Sequence, residues 1–316
     1  MKALVWQGGQ RIEYGEVPEP MPHAHEVVVD VELAGICGSD LHAYKGSPGP
    51  RVPPLVLGHE VVGSVDGSTV VVYPLIGCAK CAQCSAGNEN LCSDWQLIGM
   101  HRPGVFAERV SVPERCVVQV APGVPPTRAV LAEPLACCVG ALRFDGRDSP
   151  ERVLVLGCGP LGLLVSMLVV RRGGEAVAID PLSERQRIAH AAGATTVASA
   201  YSTTDHGIFD VAVDAAGFES TWKVGIDSLR PDGELVVLGL GQPEGAFPMA
   251  VVVRRAIRVR GHFAYSRADF QEALDILSDA NPAFDWIDEV PLSDGPKAFA
   301  NLVDRPARFT KVLLRP

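Results

Sequence analysis

A glycine-rich segment in the middle of the chain constrains the fold more than any other feature. Residues 157–162, Gly-Cys-Gly-Pro-Leu-Gly, fit the pattern G-x-G-x-x-G. They follow a strand predicted over 152–156 and open an apolar helix predicted to reach about residue 172. A second predicted strand, 176–180, ends in an acidic residue. Strand, glycine turn, helix and acid in this order form the context in which the pattern binds a dinucleotide.

Each residue of this turn has a separate task in such a site. Gly157 permits the tight turn, Gly159 lets a pyrophosphate approach the backbone, and Gly162 allows the helix to pack closely on the strand. Pro160 and Leu161 begin the helix, whose N-terminus would face the phosphates. The segment 157–162 is therefore predicted to bind a dinucleotide cofactor.

The acid at the end of the second strand bears on which dinucleotide is bound. Asp180 lies 23 residues after Gly157, where a carboxylate accepts hydrogen bonds from the adenosine ribose hydroxyls. The same charge repels a 2′-phosphate, so we expect NAD rather than NADP. Arg185 could still hold a 2′-phosphate, which leaves NADP as the alternative.

The predicted secondary structure of the rest of the chain changes near residue 150. Before it, valine-rich alternating runs predict short strands of a barrel-like β domain, at 26–33, 60–65, 69–73 and 106–112. After it, strands alternate with helices. Further strands are predicted at 195–199, 210–215, 234–240, 257–263 and 309–314, and helices at 219–229 and 266–278. Another helix is predicted to start at an N-cap, Ser183, and to stop at Gly193. Six strands with intervening helices predict a doubly wound parallel sheet.

Length and charge narrow the class of protein. The 316 residues exceed one typical compact domain, which favours two domains. A net charge of −9 argues against a nucleic-acid partner. The longest apolar run, 161–170, is about half of the roughly 20 residues that a membrane helix needs. Because the N-terminus lacks a signal peptide, we expect a cytoplasmic protein with no membrane partner.

Four of the nine cysteines lie close together in the sequence, at Cys78, Cys81, Cys84 and Cys92. Disulfides are one reading, but this density in a chain without an export signal indicates metal binding. Four thiolates complete a tetrahedral shell with no open position, which suits structural zinc and not catalysis.

A second, more dispersed set of side chains suits a catalytic metal. Its members are Cys37, Ser39, His42, His59, Glu60 and Glu133. A cysteine, a histidine and a carboxylate would supply three protein ligands and leave a position open for an alcohol oxygen. The residues alone leave open which carboxylate takes part.

These motifs, in this order, resemble the zinc-containing medium-chain dehydrogenases, particularly the polyol (sorbitol-like) and threonine branches. The resemblance spans nearly the whole chain and rests on 37–42, 58–60, the four cysteines, Glu133-Pro134-Leu135 and the glycine turn. It implies an α/β protein with a GroES-like β-barrel catalytic domain at 1–134. That domain carries a zinc lobe at 78–92 and is completed by a return segment at 265–316. A Rossmann NAD-binding domain is implied at 135–264.

The resemblance also implies roles for the dispersed set. Cys37 and His59 would bind the catalytic zinc, and the third ligand would be Glu133 or Glu60, which alternate in the family between direct and water-mediated roles. Ser39 would accept the alcohol proton and relay it through the nicotinamide ribose hydroxyl to His42. Relatives pair through the edge strand of the Rossmann sheet, which implies a homodimer or homotetramer.

The substrate stays open at this point. Glu133 in the Glu-Pro-Leu form is typical of the polyol and threonine branches, whereas simple alcohol dehydrogenases usually carry a cysteine there. Residues 99–106 resemble the threonine branch more than the sorbitol one, and the loop before residue 71 is shorter than in the family. We expect oxidation of a secondary alcohol of a polyol, sugar or 3-hydroxy amino acid. The alternatives are a dehydrogenase of simple or aromatic alcohols and a non-catalytic zinc- and nucleotide-binding sensor.

Overall fold

The computed structural model describes residues 1–47, 49–144, 152–279, 284–308 and 310–316. The chain forms two compact units. Unit 1 contains residues 1–136 and 265–316, and unit 2 contains residues 137–264. Within the described ranges, none of the helices is both long enough and apolar enough to span a bilayer.

Strands and helices alternate irregularly in unit 1 and regularly in unit 2. The strands are β1 (Lys2–Gly8), β2 (Arg11–Glu16), β3 (Glu26–Gly35), β4 (Leu55–Val56), β5 (Glu60–Val65), β6 (Ser68–Val72), β7 (Leu75–Ile76), β8 (Gln96–Leu97), β9 (Arg109–Pro113), β10 (Val117–Gln119), β11 (Arg152–Leu156), β12 (Glu175–Ile179), β13 (Thr196–Ala198), β14 (Phe209–Asp214), β15 (Leu229–Val237), β16 (Arg258–Gly261), β17 (Ile287–Pro291) and β18 (Lys311–Arg315). The helices are α1 (Gly38–Tyr44), α2 (Ala82–Ser85), α3 (Pro126–Ala129), α4 (Ala132–Ala141), α5 (Pro160–Arg171), α6 (Ser183–Ala191), α7 (Thr203–His206), α8 (Glu219–Ser228), α9 (Met249–Arg254), α10 (Arg267–Ser278) and α11 (Gly295–Asp304). Short 3₁₀ turns lie at Glu89–Leu91, Glu114–Cys116 and Leu292–Asp294.

A sheet with the order β10-β6-β5-β3-β18-β17 forms the centre of unit 1, and β9 also pairs with β3. Alternation along these strands turns one face inward, where Val29, Val70 and Val110 are buried. The strand predicted over 309–314 is β18, which pairs antiparallel with β3 and parallel with β17. Residue 309 lies outside the described residues.

The hairpin between β5 and β6 is as short as the sequence indicates. Val65 pairs with Ser68, and the two residues between them have positive φ, 49° at Asp66 and 78° at Gly67. Positive φ at both central positions is the geometry of a two-residue type I′ turn, which matches the twist of the flanking strands.

Unit 2 contains a parallel sheet with the order β13-β12-β11-β14-β15-β16. The strand order reverses beside β11, where the chain first crosses to β12 and later returns to β14. This confirms the predicted doubly wound sheet. In such sheets ligands bind at the carboxyl ends of the strands, at the reversal point, and the glycine turn follows β11 at that place.

The predicted N-cap at Ser183 is wrong. Ser183 is the first residue of α6, and Leu182 takes the N-cap position without a capping side chain. The Asp180 carboxylate explains the difference, because its Oδ1 accepts the Leu182 N–H at 2.9 Å and fixes the backbone one residue earlier. By contrast, Ser266 caps α10 by accepting the Asp269 N–H.

Candidate active site and metal centres

The four cysteines come together as a compact group of sulfur atoms. Their Sγ atoms all lie within 4.8 Å of one another. Zn–S bonds of about 2.3 Å in a tetrahedron place sulfurs about 3.8 Å apart, so the group has the size of a zinc site. The Cys81 Sγ accepts the Cys84 N–H, and the Cys92 Sγ accepts the Cys78 N–H, both at 3.4 Å. Backbone donors of this kind stabilise thiolates, which are the form that binds zinc.

A second close group contains Cys37, His59 and Glu60, whose ligand atoms also lie within 4.8 Å of one another. Sheet register explains the meeting. Gly35, at the end of β3, pairs with Glu60 at the start of β5, so the residues just beyond each strand end are neighbours. A Cβ at Gly35 would overlap the Glu60 carboxylate, so only glycine allows this approach.

Negative groups surround His59 and favour a positive charge at this place. Burial lowers the pKa of His59, but Asp40 and Cys37 outweigh it and raise the pKa to about 10. The Asp40 Oδ1 lies 3.9 Å from His59 Nδ1, and its Oδ2 accepts the Cys37 N–H at 3.2 Å. At 3.9 Å this contact is electrostatic, and a carboxylate beside an imidazole strengthens the ring as a metal ligand. Thiol, imidazole and carboxylate donors, in surroundings that favour positive charge, fit a divalent cation such as zinc.

The two candidate carboxylates differ in their partners. Glu60 pairs with the ammonium of Lys311, which also donates to the Ile36 carbonyl at 2.9 Å. Glu133, in the first turn of α4, accepts the Tyr265 hydroxyl at 2.8 Å through its Oε1. Burial, together with the charge of Glu60, raises the pKa of Glu133 to about 7. Among the described residues, the close group includes Glu60 and not Glu133.

Helix α1 carries both predicted proton carriers next to Cys37. Ser39 lies in its first turn, where the Oγ accepts a hydrogen bond from Arg51 Nη2 at 3.1 Å. His42 lies in its last turn and is partly buried. Burial, with Lys45 and Arg51 nearby, lowers the pKa of His42, so the imidazole is neutral at pH 7. A neutral imidazole can accept a proton.

The glycine turn of unit 2 has the conformation that its sequence requires. Gly157 has φ of 94°, and a Cβ at Gly162 would overlap the Gly157 carbonyl oxygen. Open space faces Gly159, where a Cβ would meet no atom within 4 Å. Pro160 and Leu161 begin α5, whose N-cap is Gly159 and carries no side-chain cap. The uncapped helix N-terminus and the open space fit a pyrophosphate.

Asp180 is tied to this turn more closely than the sequence indicates. It is 3% exposed, its Oδ2 accepts the Cys158 N–H at 2.8 Å, and Arg185 lies 3.8 Å away. A similar acid that the sequence analysis missed, Asp214, ends β14 and accepts the N–H groups of Ala216 and Gly217. Two carboxylates thus hold the loops at the carboxyl ends of the central strands.

Comparisons with known proteins agree with both units. Residues 23–122 match the family described as alcohol dehydrogenase GroES-like domain, and residues 160–279 match zinc-binding dehydrogenase. A sorbitol dehydrogenase of Halalkalibacterium halodurans is 32% identical over 100% of this chain and 99% of its own length.

Solved structures give the same picture. The L-idonate 5-dehydrogenase of Escherichia coli has a TM-score of 0.89 at 27% identity, over 100% of this chain and 98% of that one. An E. coli protein described as a short chain alcohol dehydrogenase, complexed with NADH, has a TM-score of 0.90 at 25% identity, over 100% and 99%. The chain therefore belongs to the zinc-containing medium-chain dehydrogenases, with a GroES-like unit and a Rossmann unit.

Proposed function

We propose that the chain is a zinc- and NAD-dependent dehydrogenase that oxidises a secondary alcohol of a polyol, sugar or 3-hydroxy amino acid. The observation that carries the proposal is the close group of Cys37, His59 and Glu60. Ser39 follows Cys37 in the chain and lies in the first turn of α1. The sorbitol dehydrogenase of Halalkalibacterium halodurans, which is 32% identical to this chain over 99% of its own length, supports the polyol class.

Cys37, His59 and Glu60 would hold the catalytic zinc. Glu60 is favoured over Glu133 as the third ligand, because its carboxylate is the one that lies with the other two. When bound, zinc acts as a Lewis acid that lowers the pKa of an alcohol. The four cysteines, with no open position, would hold the structural zinc.

Ser39 and His42 would carry the proton. The Ser39 Oγ is the hydroxyl nearest in sequence to Cys37, and it takes the proton of the alcohol as its own proton passes on toward His42. Neutral His42, four residues from the N-terminus of α1, passes it toward water. An imidazole with a pKa below its ordinary value releases the proton readily at neutral pH.

Residues 157–162 and Asp180 would bind NAD, which accepts the hydride. Gly157, Gly159 and Gly162 shape the turn, and Pro160 and Leu161 start the helix that faces the pyrophosphate. The negative charge of Asp180 favours NAD over NADP, and Arg185 is the residue that would accept a 2′-phosphate. In this proposal the catalytic domain is residues 1–134 with 265–316, and the nucleotide domain is 135–264.

The setting we infer is the reducing cytoplasm. The cysteines all lie in described parts of the chain, and no disulfide joins them. Two zinc sites built from thiols need reducing conditions to persist. We further infer a homodimer or homotetramer, which size-exclusion chromatography with light scattering would determine.

The test is turnover by protein purified with zinc, followed as NADH absorbance. The panel is sorbitol, xylitol, L-idonate, L-threonine, butane-2,3-diol and ethanol, each with NAD and NADP. Cys37→Ser should abolish turnover, and the control Cys137→Ser, outside both cysteine groups, should retain it. Turnover that survives Cys37→Ser would contradict the catalytic zinc. Ethanol as the best substrate would favour a simple alcohol dehydrogenase, and silence with bound zinc and NADH would favour a sensor.

A further inference from the structure

One buried cation beside the candidate site has no role in the scheme above. Arg51 is 5% exposed, and its guanidinium contacts at least three separate groups among the described residues. Its Nε donates to the Gly99 carbonyl at 3.2 Å, and its Nη2 donates to Ser39 Oγ at 3.1 Å. The same Nη2 lies 3.6 Å from Asp40 Oδ1. Burying a guanidinium is costly unless its donors are satisfied, so such a set of contacts points to a task.

We propose that Arg51 is a positioning residue that fixes the Ser39 hydroxyl and the Asp40 carboxylate beside Cys37 and His59. The inference rests on the proposed function, in which Ser39 takes the proton of the alcohol. Arg51 itself touches no reacting atom in this scheme and acts through its two neighbours.

Hydrogen-bond chemistry determines how Ser39 must be oriented. A guanidinium has only donors, whereas a hydroxyl has one hydrogen and two lone pairs. The Ser39 oxygen must therefore accept from Arg51, and its own hydrogen must point away from the cation. One lone pair is left for an incoming proton, and the fixed positive charge 3.1 Å away stabilises negative charge on the oxygen as the proton is exchanged.

Arg51 also acts through the carboxylate of Asp40. Asp40 is 0% exposed, and a carboxylate so deeply buried needs a compensating cation. Its Oδ1 faces both Arg51 and His59 Nδ1, while its Oδ2 holds the Cys37 N–H. By balancing this charge, Arg51 lets one carboxylate orient the His59 ring and the Cys37 backbone together.

The anchor on Gly99 makes the arrangement specific for arginine. With Nε fixed on that carbonyl, the planar fork places Nη2 between Ser39 and Asp40 without freedom to swing. Lysine has a single nitrogen on a flexible stem and cannot reach all three groups in one geometry.

The experiment is a double-mutant cycle in the full-length, zinc-loaded enzyme. R51Q, S39A and R51Q/S39A are compared with wild type, using the alcohol from the panel above with the highest kcat/KM. R51K tests the anchor, and R11Q is the matched control at an arginine 71% exposed on the side chain. Zinc content and melting temperature are recorded for each. Residues that act through one another give non-additive losses.

We expect R51Q to lower kcat about 10²-fold, of the order of one general acid–base contribution, with KM for NAD unchanged. In the S39A background R51Q should cost less than it does in wild type, because only its effect through Asp40 remains, and R51K should restore only part of the activity. A loss in R51Q that multiplies with that of S39A overturns the inference and leaves the proposed function standing. Full turnover in S39A overturns both the relay by Ser39 and this inference.

A readout independent of turnover covers the case in which R51Q does not fold. In protein labelled with ¹⁵N-arginine, the guanidinium signals of Arg51 are assigned by their absence in R51K. They should be protected from exchange with water in wild type and should shift in S39A. Signals that exchange rapidly, or that do not move in S39A, overturn the contact and with it the inference.

Discussion

Buried polar side chains of unit 1 join segments that lie far apart in the sequence. Lys311 contacts Glu60, and Tyr265 contacts Glu133, 132 residues away. In each pair the partner from the return segment holds a carboxylate that is a candidate zinc ligand. The last fifty residues therefore do more than complete a sheet, because they set the orientation of both acids.

Tyr265→Phe tests this link at one atom. The change removes the hydrogen bond that the Tyr265 hydroxyl donates to Glu133 and leaves a buried acceptor with one donor fewer. An unsatisfied buried group costs about 1–3 kcal/mol, so we expect a lower midpoint of urea unfolding together with slower turnover. Tyr14→Phe, at a ring 40% exposed, is the control and should change neither quantity. Equal behaviour of the two variants would show that the Glu133 contact is energetically neutral.

A second substitution tests the charge of a single residue, Asp180. Asp180→Asn removes a negative charge that would lie near a 2′-phosphate, while it keeps the size of the side chain. Charges a few ångströms apart near a protein surface interact by about 1–4 kcal/mol, so the ratio of kcat/KM for NADP to that for NAD should rise at least about tenfold. NADH should also bind more weakly, because one N–H of the turn loses its carboxylate. Glu184→Gln, at the next acidic residue along the chain and 44% exposed on its side chain, is the control, and an unchanged ratio in D180N would contradict the assignment.

Sequence reasoning finds ligands more readily than it finds the residues that hold them. Cys37, His59 and the four cysteines are predictable, because chemistry restricts which side chains bind zinc and the spacing is short. Arg51, Tyr265 and Lys311 have no such signature. Their partners lie from 11 to 275 residues away, and only the folded chain brings them together.

The four-cysteine lobe, residues 78–92, has almost no apolar interior. Between residues 78 and 94 the buried side chains are Glu89 and Cys92, and α2 buries none. A segment without a core cannot offset the entropy of its own ordering. A metal must supply most of that free energy.

Cys84→Ser should therefore unfold the lobe and leave the rest of unit 1 folded. We expect about one zinc fewer per chain by mass spectrometry of the native protein, and rapid tryptic cleavage after Lys80, which is exposed. Chelation of the wild-type protein should give the same cleavage. Cys137→Ser should keep its zinc and stay resistant. A resistant, fully metallated C84S protein would rule out a structural zinc on these thiols.

A partly buried ion pair, Arg102 with Glu26, links β3 and the loop before β9, and Ser111 of β9 joins it. Burial raises the pKa of Glu26, but hydrogen bonds from Ser111 at 2.7 Å and Arg102 at 2.6 Å outweigh it and hold the pKa at about 2. Because the folded pKa lies below the ordinary value near 4.3, the stabilisation is complete above that pH. It is lost as the pH falls toward 2.

Glu26→Gln measures this contribution directly. At pH 7 we expect the variant to be less stable than wild type by on the order of 2–3 kcal/mol. The difference should shrink as the pH falls from about 5 toward 2, because Glu26 of the unfolded chain binds its proton near its ordinary pKa while folded Glu26 stays ionised until about pH 2. Glu13→Gln, at an exposed position of β2, should show no such trend in parallel urea titrations. A difference for E26Q that is constant with pH would refute the assignment.

The bounds of strands and helices are predictable from sequence where polar and apolar side chains alternate strongly. The prediction is wrong where a single tertiary contact sets the end of an element. The predicted strand 60–65 matches β5, and 152–156 matches β11. The helix start near Ser183 is displaced because the Asp180 carboxylate captures the Leu182 N–H, a contact that competes with a serine cap. The sequence patterns do not predict strands β1, β2, β4, β7, β8, β10 and β17. β4, β7 and β8 are two-residue strands without a usable period.

At the scale of the whole molecule, the two units differ in how the chain builds them. Unit 2 is one continuous stretch, whereas unit 1 is made from both ends of the chain. Its central sheet places β18 next to β3, so the first 136 residues alone leave an edge of β3 unpaired and lack α11. Phe299 of that helix belongs to the buried core of unit 1.

We therefore expect opposite behaviour from two fragments. Residues 132–264 keep α4 whole, and Arg172 and Arg260 donate to carbonyls at Leu142 and Ala141 near its end. This fragment should melt cooperatively by circular dichroism and quench NADH fluorescence on binding. Residues 1–131 should remain unfolded, because a sheet without its inner strand and a core without Phe299 lose too much buried area. Supplying residues 265–316 as a separate chain should restore folding in the presence of zinc. A cooperatively folded 1–131 fragment would show that the return segment is dispensable for the core, and a disordered 132–264 fragment would show that the nucleotide unit depends on the rest of the chain.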